Sequence, residues 1–77
     1  MFNVIIKGDI EDAEAACADK GYDVFEIINT ITHKNNSVTV MVVIGNEADL
    51  YTWFAKGTLQ EGTGYEPGDL LFFSTKE

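Results

Sequence analysis

Ser37-Val38-Thr39-Val40-Met41-Val42-Val43-Ile44 is apolar at most positions and rich in β-branched side chains, the composition of a strand held by packing. With a two-residue period, Val38, Val40, Val42 and Ile44 face one side and Met41 and Val43 the other. Just upstream, His33-Lys34-Asn35-Asn36 is polar, and Asn tolerates positive φ, so a hairpin is expected. It joins this run to a second strand over residues 22–32, in which Phe25, Ile27 and Ile31 alternate with Val24 and Ile28. A hairpin with two apolar faces at the centre of a short chain is the feature that decides the architecture.

Working outward, residues 2–7 form another apolar, β-favouring run, ended by Gly8-Asp9. Asp9 is placed to accept from the free backbone donors of a helix over residues 10–20. Ile10, Ala13, Ala16 and Cys17 recur there at helical spacing, Glu11 and Asp12 occupy the first turn where the dipole favours anions, and Gly21 supplies a left-handed stop. Downstream of the hairpin, Asn46 reads as a second N-cap, followed by Glu47 and Asp49. Leu50, Trp53 and Phe54 then share one helical face up to Gly57. A strand over residues 69–74 completes the order βαββαβ. This order implies an α+β fold of the ferredoxin-like type, an antiparallel sheet with both helices on one face. Two helices cover only one side of a sheet. The second apolar face therefore predicts a homo-oligomer packed through it, with a closed trimer the expected form.

At 77 residues the chain is expected to form a single domain over 1–77, and domains of this size bury only about 60% of their unfolded surface, which reinforces the expectation of self-association. The opening Met-Phe-Asn-Val-Ile-Ile-Lys lacks the basic start and long apolar core of a signal peptide, and no run approaches the roughly 20 apolar residues of a membrane span. A cytoplasmic protein without membrane association is expected. Its single cysteine, Cys17, suits a reducing compartment and is expected to be a small buried hydrophobe. Thirteen acidic residues face five lysines and no arginine, a net charge of −8. With no Arg fork for phosphate and no basic stripe, nucleic acid is not an expected partner. The acidity favours cationic small molecules or a basic protein surface.

The chemistry-bearing stretch is Gly57-Thr58-Leu59-Gln60-Glu61, between the helix carrying Tyr51 and a glycine-rich turn. A Tyr ring and a carboxylate at the mouth of a loop suit a small cationic ligand, because the ring's negative face and a full anion both attract positive charge. Other chemistries find little support. One Cys and one His make no zinc constellation, and no metal or cofactor is expected. Cys17 has no partner for nucleophilic catalysis. Gly62-Thr63-Gly64 lacks the third glycine and following helix of a dinucleotide fingerprint, and Asp9, Glu11 and Asp12 are explained by helix capping before any calcium loop.

Thr32-His33 before the hairpin, the apolar strand ending at Gly45, Tyr51, and the Gly57 to Glu61 stretch ahead of the closing strand resemble the bacteriophage enzymes that destroy S-adenosylmethionine. These enzymes, formerly described as hydrolases, are S-adenosylmethionine lyases. The resemblance spans most of the chain in order and hydrophobic pattern. It implies ferredoxin-like trimers with ligand sites between subunits. It also implies a reaction in which the substrate's own carboxylate displaces 5′-methylthioadenosine and leaves homoserine lactone. Under it, Glu61 would hold the substrate ammonium or bias its conformation. Tyr51 would contact the sulfonium region or donate to the substrate carboxylate. Gln60 would bond a neighbouring subunit or the ribose, and Thr32 and His33 would receive adenine. Gly57 and Thr58 would belong with Gln60, Thr32 and His33 to the substrate-binding set, while Gly57, Gly62 and Gly64 serve backbone shape first.

Two other readings belong to different classes. One is a small acidic binding protein, such as a viral inhibitor that occupies a basic surface on a host enzyme. It predicts a continuous exposed acidic face. The other is a ferredoxin-like regulatory oligomer that binds an adenine ligand without turning it over.

Overall fold

The computed structural model describes residues 1–46, 49–54 and 66–76. They form β1 (Phe2–Lys7), α1 (Ile10–Lys20), β2 (Val24–Thr32), β3 (Val38–Ile44), α2 (Leu50–Phe54) and β4 (Leu70–Thr75). The α1 helix starts with a reciprocal pair of bonds: the Asp12 backbone N–H donates to the Asp9 carboxylate, and the Asp9 N–H donates to the Asp12 carboxylate, both at 3.0 Å. Gly8 makes this turn possible. It has φ +107°, and a Cβ there would lie 2.5 Å from Asp12 Oδ2. Gly21, at φ +77°, ends the helix, its N–H donating to the Ala18 carbonyl at 3.1 Å.

The four strands lie in the order β2-β3-β1-β4, and every neighbouring pair is antiparallel. Each helical crossover therefore spans one intervening strand: β3 separates β1 from β2, and β1 separates β3 from β4. A four-stranded antiparallel sheet with two helices in this order is an α+β arrangement consistent with the ferredoxin-like type. Both helices contribute to one core: Ala13 and Cys17 from α1, and Leu50 and Trp53 from α2, pack with Val4, Ile6, Val40, Val42, Ile44 and Leu70. The small side chains of α1 let its backbone lie close on the sheet. Ile10, expected on this inward stripe, is instead 39% exposed, since it is the first residue of the helix, a turn short of the buried Ala13 and Cys17.

The face assignment follows from the core. Val42 and Ile44 belong to the helix side, so Val43 between them lies on the opposite side, outside the core cluster although only 1% exposed. Ile5 and Met41, paired across β1 and β3, share that uncovered face with Phe72, which pairs with Ile5 from β4. Among the described residues nothing from either helix packs into the core on this side.

In β2 the expected alternation fails. Register shifts fall between Val24 and Glu26 and between Ile27 and Asn29, so Val24 and Ile27 both pack against the core. Phe25 and Ile28, at the two irregularities, are 56% and 42% exposed. A second correction concerns α2. It begins at Leu50, and Asp49 rather than Asn46 caps it, its carboxylate accepting from the Thr52 N–H at 3.2 Å and the Thr52 hydroxyl at 2.7 Å. Asn46 is engaged elsewhere, its side-chain oxygen accepting from the amino terminus of Met1. The expected continuation of this helix to Gly57 lies outside the described residues.

Candidate functional site

The aromatic residues of α2 have divided roles. Trp53 is buried to 7% exposure and its indole N–H donates to the Gly68 carbonyl at 3.2 Å. Its ring is taken on one side by the Lys20 ammonium, 5.4 Å from the centroid, and on another by Tyr22, 6.0 Å between centroids. The cation slot on this ring is thus filled by the protein's own side chain. Tyr51 is 79% exposed and stands edge-on against Phe73, the centroids 5.4 Å apart. Phe73 in turn meets Phe2 in a second edge contact at 6.3 Å. Tyr51 is therefore an accessible aromatic surface supported by two further rings.

Thr32 and His33 sit at the hairpin end of β2, and both are exposed. One ring nitrogen of His33, Nε2, lies 3.0 Å from the Thr39 hydroxyl, and the turn is closed by the Asn36 N–H donating to the His33 carbonyl at 2.9 Å. This pairing orients the imidazole within its own hairpin. The structure does not bring these two residues to Tyr51. They belong to β2 at one sheet edge, whereas Tyr51 rests on Phe73 of β4 at the other edge. Three inter-strand spacings of about 4.8 Å separate those edges, roughly 14 Å. Gly57, Thr58, Gln60 and Glu61 lie outside the described residues.

A cleft of about 380 Å³ is lined by Ala16, Lys20, Thr52, Trp53, Gly68 and Asp69 among others. No local pattern announces it, because its described walls come from α1, α2 and the turn before β4, which are distant in the chain. Lys20, the ammonium among its described lining residues, already stacks on Trp53. Cys17 is buried beneath α1, and burial pushes its thiol pKa up, with Lys20 opposing that shift. A protonated, enclosed thiol is packing material. Among the described residues no group of three or more His, Cys, Asp or Glu is placed to hold a metal ion. Nor is any described helix long and apolar enough to cross a membrane.

No protein family, curated protein or solved structure matches the chain.

Proposed function

We propose that the protein is an S-adenosylmethionine lyase of ferredoxin-like fold that works as a homo-oligomer, preferably a closed trimer, with its sites between copies. The observation that carries this reading is Tyr51. A helix aromatic among Leu50 and Trp53 is ordinarily spent on the core, yet this one is 79% exposed and is held in place by Phe73. A sulfonium ion is a suitable guest for such a ring. The chain leaves this helix for Gly57 to Glu61, the stretch that carries the resemblance to the phage lyases. The separation of Thr32 and His33 from Tyr51 across the sheet adds support for sites between copies, since one copy would have to span roughly 14 Å to use both.

In the proposed reaction a substrate carboxylate oxygen bonds to the substrate's γ-carbon as the bond from that carbon to sulfur breaks. The electron pair leaves with sulfur as the neutral thioether of 5′-methylthioadenosine, and homoserine lactone remains. No proton need move and no protein nucleophile takes part. The protein's task is to fold the methionine portion into attack geometry, for which positioning supplies roughly 7–11 kcal/mol in well-oriented cases. Glu61 restrains the ammonium, and with it the carboxylate on the same carbon, by a charge-assisted hydrogen bond. Tyr51 faces the sulfonium or the carboxylate; Gln60 reaches the ribose or a neighbouring copy; Thr32 and His33 receive adenine; Gly57 and Thr58 complete the substrate-binding set.

Incubation of the purified protein with S-adenosylmethionine, followed by chromatography and mass spectrometry, tests the reaction. Expected products are 5′-methylthioadenosine and homoserine lactone, above the spontaneous background. Intact substrate throughout overturns the reading. Glu61→Ala is expected to lower turnover by roughly a hundredfold or more while the circular dichroism spectrum is retained, since it removes a charged partner of the reacting molecule. Parental turnover in that variant would remove Glu61 from the mechanism.

The second reading, an acidic protein that occupies a basic surface, draws on Glu11, Glu14 and Asp19, all exposed on α1. Ala15 and Ala18 are exposed on the same helix, so these carboxylates are interrupted. Absence of turnover with retained affinity for a basic protein would favour it.

A further inference from the structure

Charge is distributed unevenly over this molecule. Of the described strand residues, only Lys7 and Glu26 are charged, in a chain whose net charge is −8. Both lie on the uncovered face: Ile6, next to Lys7, belongs to the helix-side core, and Glu26 pairs with Val43. In register, Lys7 pairs with Thr39 and Glu26 with Val43, four residues apart on β3 and on its opposite sides. That places the two at diagonal corners, with Cα atoms roughly 16 Å apart at standard strand spacing, beyond the combined reach of their side chains. Among the described residues neither has an ion-pair partner. Between these corners lie Phe72, which is 56% exposed, and Ile5 and Met41, which are half-buried, while Val43 beside them is only 1% exposed.

We infer that the uncovered sheet face is the surface on which a second copy of this chain docks, with Lys7 of one copy paired to Glu26 of the next. Two molecules of charge −8 repel one another on approach, so they associate where the local charge is lowest. This face sums to zero, is apolar at its centre, and carries one charge of each sign at opposite corners. A copy presented to itself is complementary to that arrangement, whereas a strongly basic partner finds no acidic surface there. The pair forms twice at a two-fold interface and once per interface in a closed ring. Desolvation at the rim of an apolar contact makes its sign decisive, because like charges brought together across an interface are strongly disfavoured. The inference deepens the proposed assembly and rests on that part of the reading, but not on the lyase chemistry.

The test is reciprocal charge exchange read by sedimentation velocity at low ionic strength, with circular dichroism to verify folding. Lys7→Glu and Glu26→Lys are each expected to weaken association at least about tenfold. The double variant K7E/E26K is expected to restore it to near the parental level. A monomeric parent, single variants that associate normally, or a folded double variant that stays dissociated would each overturn the inference. If either single variant fails to fold, Lys7→Met and Glu26→Gln replace them, with the same weakening expected and parental association again overturning. Turnover of S-adenosylmethionine is scored separately. A restored assembly in a protein without turnover sinks only the lyase, and an active parental monomer sinks the interface and the sites between copies but leaves the lyase chemistry standing.

Discussion

Asn46 and Asp49 both precede α2. Both residues can cap a helix, and spacing alone does not choose between them. Asn46 is taken by the amino terminus, and Asp49 receives the Thr52 hydroxyl and backbone N–H. Those two bonds, the side-chain one foremost, hold the Asp49 carboxyl below the ordinary carboxylate pKa. A depressed folded-state pKa contributes stability that is present above the ordinary value and lost as pH falls through the lowered one. Melting of α2, followed by amide exchange at Thr52 and Trp53, is therefore expected to increase below the usual carboxylate range, and Asp49→Asn is expected to flatten that dependence. An unchanged acid profile in the variant would assign the effect to another group. By contrast, the Asp9 cap and Gly21 stop of α1 were legible, because Gly8-Asp9 and Lys20-Gly21 each leave one local solution.

At the scale of elements, the described part of α2 is Leu50–Phe54. It is held by side chains from elsewhere. The Tyr22 hydroxyl accepts from the Asp49 N–H at 2.9 Å, and the Trp53 indole reaches Gly68. Tyr22→Phe keeps the ring against Trp53 and removes only the hydroxyl, so it is expected to cost about 1 kcal/mol in urea unfolding. A loss several times larger would mean that the ring packing was also disturbed. The β2 strand shows what periodicity cannot supply. Its composition announced a strand, but Val24-Phe25-Glu26-Ile27-Ile28 reads as plain alternation only if no residue is extra. Two register shifts put Val24 and Ile27 on one face, a choice made by the partner strand β3 rather than by β2 itself. The candidate site was legible to a similar degree: residue types on Tyr51, Thr32 and His33 could be read from the chain, but their placement at opposite sheet edges depends on strand order.

For the molecule as a whole, the two faces of the sheet respond to charge in opposite ways. Val40 is fully enclosed by the helix-side core, so Val40→Asp places an unpaired carboxylate there and is expected to abolish the cooperative unfolding transition. Phe72 lies on the opposite face and is 56% exposed, so a carboxylate there reaches water in a single copy. Phe72→Asp is expected to fold, with a reduced mass in sedimentation and a matching loss of turnover; an active monomer would remove the sites-between-copies arrangement. Trp53 has a consequence of another kind. As the chain's single tryptophan it joins α1 through Lys20, the start of β2 through Tyr22, and the turn before β4 through Gly68. Its fluorescence emission is therefore an intrinsic gauge of whether the second crossover is seated on the first, readable in any variant without a label.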